Sequence, residues 1–268
     1  MIPKIIHYVW LGGKELPDKY KQYIDGWKKL MPDYTIMEWN ESNFDFSESV
    51  YATQAYKLKK FGFVPDYIRV AVLEQYGGFY LDTDVEVLKS FDELLNNQFV
   101  IGFENDANVE TAILGSEPHH PYCQTLMKFY KKFPFTKKDK PNLTPSPIYF
   151  TYFLRRDYSL KLKPEYQLLK DKNGSEVAVY PPEYFTPLNF NTHEEHITEN
   201  SYAVHRFANS WQSKKLKTAQ DFVDGLRKVF GKKIFASFTR TYVRDGCRKV
   251  KRFVKKANKK ITENSEKI

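Results

Sequence analysis

Asp82 and Asp84 carry the clearest chemical signal in this sequence. They follow the apolar residues 79–81, which come directly after Gly77 and Gly78. Residues two apart on an extended chain point to the same side, so the two carboxylates can converge on one point. Carboxylate oxygens are preferred ligands of Mg²⁺ and Mn²⁺, which often share their ligand shell with the phosphates of a substrate. The pair therefore indicates a divalent-cation site, and the alternative is the solvent-facing side of a half-buried strand.

A helical segment shortly before this pair carries two further charged residues. Residues 65–76 have helical spacing, with proline in the first turn and glycine at the end. Asp66 and Arg69 are three residues apart, so they share one face of this helix. An arginine beside a bound cation can neutralise the charge of a departing diphosphate. The alternative is a surface ion pair, which contributes little to stability.

Strand and helix patterns alternate around these residues. Residues 137–147, rich in lysine and proline, are predicted to form an exposed loop. The alternation favours an α/β domain with a Rossmann-like, mostly parallel central sheet flanked by helices. The predicted strands are residues 5–11, 34–39, the aspartate-rich segment after Gly78, 99–103, 177–180 and 202–205, and the predicted helices are residues 19–31, 52–60, 65–76 and 121–133.

The ends of the predicted strands bring candidate residues to one side of the sheet. Ligands bind at the carboxyl ends of the strands in sheets of this kind. Trp10, Asp82, Asp84 and His205 all lie near such ends. The strand pattern therefore predicts that they line one edge. Taken alone, Trp10 also fits a core anchor, and His205 also fits a hydrogen-bonded core or surface residue.

Composition bounds the class of protein. The chain has 268 residues, of which 16% are aromatic, so it can build one full hydrophobic core with an appendage. Its two cysteines are Cys123 and Cys247, which are far apart, so we expect no disulfide framework and a reducing compartment. The N-terminus lacks the pattern of a signal peptide. Because no apolar run is long enough to span a bilayer, we expect a soluble or peripheral protein.

Charge is distributed unevenly along the chain. Residues 1–211 hold 24 basic and 28 acidic residues, a balance of −4, and residues 212–268 hold 18 basic and 5 acidic residues, a balance of +13. In residues 214–260, bulky apolar residues recur at helical spacing between the lysines and arginines, which predicts basic amphipathic helices that contact an anionic membrane surface. The alternatives are a helix packed on the body or a nucleic-acid-binding arm. We expect no nucleic-acid partner, because residues 1–211 are acidic.

Four segments, in this order along the chain, resemble a known family. They are residues 6–13, 64–69, 76–84 and 202–211. Together they resemble the sugar-binding-region glycosyltransferases of glycosyltransferase family 32, whose hallmark is an Asp-X-Asp motif. They are also distantly similar to the catalytic domains of the large clostridial glucosylating toxins. The resemblance covers residues 1–211, which implies a catalytic domain there and a separate tail at 212–268.

The resemblance implies a GT-A fold, a nucleotide-sugar donor, Mn²⁺ or Mg²⁺ as cofactor, and retention of the anomeric configuration. It also implies a role for each matching residue. The roles are base stacking for Trp10, sugar binding for Asp66, sugar or diphosphate binding for Arg69, donor-pocket lining for Tyr80, ribose, sugar and water-mediated metal contact for Asp82, direct metal ligation for Asp84, completion of the metal shell for His205, and closure over the diphosphate for Ser210 and Trp211.

These observations predict a metal-dependent, retaining hexosyltransferase. The expected donor is a UDP-sugar, and the expected acceptor is a lipid-linked glycan in the synthesis of a surface polysaccharide. We expect a bacterial enzyme at the cytoplasmic face of the cell membrane, held there by residues 214–260. One alternative is a glycosyltransferase that modifies protein, as an effector or an adhesin-modifying enzyme. Another is a non-catalytic, membrane-associated binding module.

Overall fold

The computed structural model describes residues 1–137, 140–190 and 194–208, over which strands and helices alternate along the chain. The strands are β1 (Ile5–Val9), β2 (Thr35–Trp39), β3 (Gly78–Leu81), β4 (Val85–Val87), β5 (Phe99–Gly102), β6 (Ile113–Ser116), β7 (Thr136–Lys137), β8 (Lys140–Pro141), β9 (Gln167–Lys170), β10 (Glu176–Tyr180) and β11 (Ala203–His205). The helices are α1 (Asp18–Leu30), α2 (Val50–Lys57), α3 (Pro65–Tyr76), α4 (Pro121–Lys132), α5 (Ser146–Asp157) and α6 (Pro182–Phe185), with 3₁₀ turns at Phe61–Phe63 and Asp92–Leu94.

A seven-stranded mixed sheet lies at the centre of the domain, in the order β2-β1-β3-β6-β5-β10-β9. β1 pairs in parallel with β2 and β3, and β10 pairs in parallel with β5. β6 is antiparallel to β3 and β5, and β9 is antiparallel to β10. Strands β2, β1, β3, β5 and β10 therefore run in one direction. The predicted fold class, an α/β domain with a mostly parallel central sheet flanked by helices, is confirmed.

Helices cover both faces of this sheet. One buried cluster includes residues of α2, α3, α4 and α5, and a second includes residues of α1 and of the turn at Asp92–Leu94. Along β3, Tyr80 belongs to the first cluster and Phe79 to the second, as the alternation of side chains in a strand requires. Burying a side chain such as Phe79 stabilises the fold by roughly 1.5–3 kcal/mol. Tyr80 therefore points to the same side of the sheet as α3.

The junction between α3 and β3 depends on two glycines. Pro65 occupies the first turn of α3, and the helix ends at Gly77, whose φ of 64° lies in the left-handed region. Gly78 has a φ of 94°, and a Cβ atom there would lie 2.6 Å from the carbonyl oxygen of Ile5 in β1. Only glycine allows β3 to approach β1 this closely, so the two glycines set the position at which the aspartates emerge.

Several predicted elements differ from the structure. The predicted strand through Asp84 is wrong, because β3 ends at Leu81 and Asp82 begins a turn that is closed by a 3.0 Å hydrogen bond from the Val85 N–H to the Asp82 carbonyl. Aspartate favours turns over strands, which explains this early end. The last predicted strand, β11, pairs with β4 in a separate two-stranded sheet. The loop predicted at 137–147 contains β8 and the start of α5, and β6 and β9 have no counterpart among the predicted strands.

The predicted basic tail at 212–268 lies outside the described residues, as do Ser210 and Trp211. The division into residues 1–211 and 212–268 therefore stays a prediction. Among the helices that the structure describes, none combines the length and the apolar character that a membrane crossing requires.

A buried histidine, His7, connects β1 to β2 and to the junction between α3 and β3. The Trp39 indole N–H donates to His7 Nδ1 at 3.1 Å, and His7 Nε2 lies 2.8 Å from the carbonyl oxygen of Gly77. Because Nδ1 accepts, the proton of the neutral ring sits on Nε2 and is donated to Gly77. A second proton on the ring would set two donors against each other at Trp39. Burial accordingly lowers the pKa of His7 to about 4, although the Gly77 bond opposes this shift.

We predict that His7 makes the fold sensitive to acid. The pKa of His7 is about 4 in the folded state against 6.5 for the ordinary side chain, so the unfolded chain binds more protons between these values. Its contribution to the free energy of unfolding is complete above pH 6.5 and is lost as the pH falls towards 4, by about 3 kcal/mol in total. Urea unfolding of wild type and His7→Gln at several pH values tests this. The difference between the two proteins should shrink in acid, and a constant difference would contradict the assignment.

Candidate functional site

The end of β3 delivers two carboxylates into one turn. The Asp82 N–H donates to the carbonyl oxygen of Ala112 at 2.8 Å, which anchors the start of the turn to the segment before β6. On the side chain of Asp82, Oδ1 accepts the Tyr80 hydroxyl at 2.7 Å and lies 3.4 Å from Arg69 Nη2. Both of these contacts fall on a single carboxylate oxygen. Tyr80 and Arg69 thus fix the position of Oδ1 of Asp82.

The segment after β11 wraps around Asp84. His205 Nε2 lies 3.5 Å from Oδ1 of Asp84, and the Ala208 N–H donates to Oδ2 at 2.7 Å. The Arg206 N–H donates to the backbone carbonyl of Asp84 at 3.0 Å. Both side chains are largely buried, with exposed fractions of 14% for Asp84 and 18% for His205. β11 pairs with β4 directly after the turn, so sheet pairing brings His205 to the aspartates.

Helix α3 supplies a buried ion pair beside this turn. Arg69 is 4% exposed, and its Nη2 lies 3.4 Å from both Asp66 Oδ1 and Asp82 Oδ1. Nη1 donates to the carbonyl oxygen of Thr111 at 2.5 Å, and Nε donates to that of Pro65 at 3.2 Å. The guanidinium carbon also lies 4.8 Å from the ring centre of Tyr80. The spacing of Asp66 and Arg69 therefore produces a buried pair linked to Asp82, and the surface-pair alternative is wrong.

The charges of the site depend on one another. Burial raises the pKa of Asp82, and the nearby Asp84 adds to this while Arg69 opposes it. Burial would also raise the pKa of Asp84, but the hydrogen bond and charge of His205 outweigh burial and lower it. For His205, burial disfavours the charged form, yet its bond to Asp84 raises the pKa to about 9. The opposite charges of His205 and Asp84 thus stabilise each other's ionised forms.

Asp82, Asp84 and His205 fit a divalent cation. One ligand atom from each lies within 4.8 Å of the others. Two carboxylates and an imidazole suit Mn²⁺, and carboxylates alone suit Mg²⁺. The raised pKa of Asp82 beside another carboxylate indicates a place where positive charge is favourable. A cation there would replace the proton on His205, since only the neutral ring can act as a ligand.

The predicted nucleotide-binding residue Trp10 lies at the end of β1, half-buried. Its indole N–H donates to the carbonyl oxygen of Lys14 at 2.6 Å, and its ring lies 6.0 Å from that of Tyr20 in an edge arrangement. Burial raises the pKa of Tyr20, and the charge of Asp84 adds to this rise. Base stacking on Trp10 and the donor contacts of Tyr80, Ser210 and Trp211 remain predictions.

Sequence reasoning missed two residues that hold the site residues in place, Tyr51 and Glu110. Asp66 accepts the Tyr51 hydroxyl at 3.0 Å, and burial raises the pKa of Asp66 to about 6. Glu110, 1% exposed, accepts the N–H groups of residues 112 and 113 at 2.9 and 3.0 Å. It thereby holds the segment whose carbonyl groups at Thr111 and Ala112 bind Arg69 and Asp82. A glutamate just before an apolar strand was the only local signal for this role.

An α/β domain with an Asp-X-Asp turn at the end of a central strand, and a buried arginine beside it, agrees with what the resemblance to glycosyltransferases implies. The family comparison agrees with this class. Residues 17–100 match the model of the glycosyltransferase sugar-binding region containing a DXD motif. This match confirms the resemblance to glycosyltransferase family 32 over residues 17–100.

Three curated relatives of this chain are named as glycosyltransferases or mannosyltransferases. Inositol phosphoceramide mannosyltransferase 1 of Schizosaccharomyces pombe is 27% identical over 173 residues, which cover 56% of this chain and 50% of the relative. Inositol phosphoceramide mannosyltransferase 2 of the same yeast is 32% identical over 49% of this chain and 39% of its own length. An uncharacterized glycosyltransferase of Acanthamoeba polyphaga mimivirus is 25% identical over 86% of this chain and 91% of its own. The chain thus spans half or less of the two yeast relatives.

Two solved structures with glycosyltransferase titles superpose partially on this chain. The PaToxG glycosyltransferase superposes with a TM-score of 0.46 at 18% identity, covering 58% of this chain and 68% of its own. A glycosyltransferase involved in the glycosylation of the major capsid of PBCV-1 superposes with a TM-score of 0.39 at 10% identity, covering 83% of this chain and 100% of its own.

Proposed function

We propose that the protein transfers a hexose from a nucleoside diphosphate sugar to a lipid-linked acceptor, with a divalent cation held by Asp82, Asp84 and His205. The convergence of these three side chains within 4.8 Å carries the proposal. The enzyme class follows from the family match and from the names of the relatives. The experiments below test the cation and the donor.

Each charged group has a task in breaking the bond between the sugar and the diphosphate. When bound, the cation supplies positive charge to the diphosphate oxygens. Asp82, Asp84 and His205 would hold it, and the guanidinium of Arg69 supplies a second, permanent positive charge beside Asp82. Asp66 keeps Arg69 in position and binds sugar hydroxyls. Because the arginine is already ordered by four contacts, little reorganisation is needed as negative charge develops.

Retention of configuration requires no side-chain base in this proposal. The bond from the anomeric carbon to the diphosphate oxygen breaks, and the acceptor oxygen forms its new bond on the same face of the sugar. The proton of the acceptor hydroxyl passes to an oxygen of the departing diphosphate. The task of the protein is then to hold both substrates close together and to stabilise the charge of the leaving group.

The names of the relatives bear on the donor and the acceptor. Those proteins are described as mannosyltransferases that act on a lipid, inositol phosphoceramide. This favours a hexose and a lipid-linked acceptor, and it adds mannose to the sugars that a donor screen must contain. We retain a UDP-sugar as the predicted donor, with a role in surface polysaccharide synthesis. Attachment to the cytoplasmic face of the membrane through residues 214–260 is part of the same proposal.

Cation and donor binding can be measured without the acceptor. We expect Mn²⁺ to bind the purified full-length protein stoichiometrically in calorimetry or electron paramagnetic resonance. We further expect one nucleoside diphosphate hexose from a panel of uridine and guanosine donors to raise the melting temperature only when Mn²⁺ is present. Chelation should remove both effects. Donor binding that is equally tight with excess chelator would refute the metal role, and the absence of any donor binding would favour a non-catalytic module.

A further inference from the structure

Phe207 has an unusual backbone conformation for a large side chain. Its φ angle is 46°, inside the left-handed region that favours glycine. Aromatic residues are rarely found there, because Cβ crowds the backbone. Such a conformation persists only where the surrounding structure holds it, and outliers of this kind cluster at functional sites. Among the described residues, the other non-glycine residues with positive φ are Lys59, His119 and Ser159.

The left-handed turn at Phe207 lets one short segment hold Asp84 on three sides. Before the turn, His205 faces Oδ1 of Asp84, and the Arg206 N–H donates to the Asp84 carbonyl. After the turn, the Ala208 N–H donates to Oδ2 at 2.7 Å. An extended residue at 207 would carry the chain onward and direct the next N–H group away from the carboxylate. The backbone reversal is therefore what allows side-chain and main-chain contacts to meet on one aspartate.

The side chain of Phe207 presses against the same histidine. Its ring centre lies 4.1 Å from that of His205, and 5.2 Å from that of Phe190 in an edge arrangement. Packing of the ring limits the rotation of the imidazole, while the backbone limits the position of Asp84. The positions of two candidate cation ligands, Asp84 and His205, thus depend on Phe207.

We propose that Phe207 is a positioning residue whose strained backbone preorganises Asp84 and His205 for the cation. This inference rests on the proposed metal site. It assigns the role to the backbone conformation as well as to the ring, and the two contributions can be separated by substitution. Glycine adopts positive φ without penalty, alanine does so with difficulty, and β-branched valine resists it most.

The experiment compares Phe207→Gly, Phe207→Ala and Phe207→Val in the full-length protein. All three lack the ring, so they share its loss, and they differ in how readily residue 207 adopts a left-handed φ. We expect the dissociation constant of Mn²⁺, measured by calorimetry, to rise from Gly through Ala to Val, by about tenfold across the series. Should the valine protein fail to fold, the glycine and alanine proteins still give the ordering.

A matched series at Lys59 serves as the control. Lys59 is exposed, has a φ of 54° and follows α2, which contributes no candidate cation ligand. Lys59→Gly, Lys59→Ala and Lys59→Val should differ in the urea midpoint in the same order, but should bind Mn²⁺ within twofold of wild type. Equal affinity across the Phe207 series would overturn the inference while the metal site stands. Absence of Mn²⁺ binding by wild type would overturn the proposed metal site itself.

Discussion

Asp84→Ala is expected to abolish sugar transfer, with a loss of about 10³-fold or more in kcat. The substitution removes a proposed cation ligand and the partner of His205 and of the Ala208 N–H. The backbone contact from Arg206 to the Asp84 carbonyl does not depend on the side chain, so the fold should persist. Transfer rates at saturating donor and Mn²⁺, together with calorimetric Mn²⁺ titration, measure the effect.

Two further variants sharpen this test. Asp84→Asn keeps the shape of the side chain and its ability to accept from Ala208, so it separates the loss of charge from the loss of packing. Asp33→Asn removes an exposed aspartate that pairs with Lys4 at 2.6 Å, and it should leave kcat within about twofold of wild type. Full activity of Asp84→Ala at saturating Mn²⁺ would show that this carboxylate holds no catalytic cation.

Arg69→Lys is expected to lower kcat by about 10²-fold while the protein remains folded. Lysine retains the charge but cannot reach Thr111, Asp66 and Asp82 at once with a planar fork of donors. Arg69→Ala has a second consequence, because it leaves the carboxylate of Asp66, 3% exposed, without its positive partner. Removing one member of a buried ion pair costs roughly 3–5 kcal/mol in the free energy of unfolding.

Kinetics and urea unfolding together distinguish these effects. For Arg69→Lys, kcat should fall more than the free energy of unfolding implies, whereas Arg69→Ala should lose both. Arg156→Lys is the control, since the exposed Arg156 pairs only with its neighbour Asp157 among the ion pairs of the described residues. That variant should change kcat by less than about twofold. Near-normal turnover by Arg69→Lys would limit the arginine to a structural role.

The two largest effects fall on residues on either side of Asp82. Arg69 and Tyr80 both bind Oδ1 of Asp82, and Asp84 lies two residues further along the same turn. Substitutions at Arg69 and Asp84 should therefore be non-additive, because neighbouring residues in one charged network share their loss. A double variant that loses no more activity than Asp84→Ala alone would be consistent with this coupling.

Local sequence patterns were sufficient for most of the elements around the site. The limits of α3 follow from Pro65 and Gly77, and the paired aspartates follow from their type and spacing. Strands β1, β2, β5 and β10 coincide with predicted strands to within about one or two residues. These features depend on neighbours within a few positions along the chain. The resemblance to a known family added the roles of residues that have no local signal, such as His205.

The relation between distant segments could not be read from local pattern. Nothing near Arg69 indicates that Thr111, 42 positions later, would bind its guanidinium, or that Asp82 would enter a turn anchored to Ala112. Such contacts form only when the whole sheet is assembled. In that sheet β6 lies antiparallel between β3 and β5. The left-handed backbone of Phe207 has the same origin, because only the surrounding fold makes that conformation favourable. Residue type and spacing thus specified which groups can do the chemistry, and burial with long-range pairing decided their ionisation, their partners and their final distances.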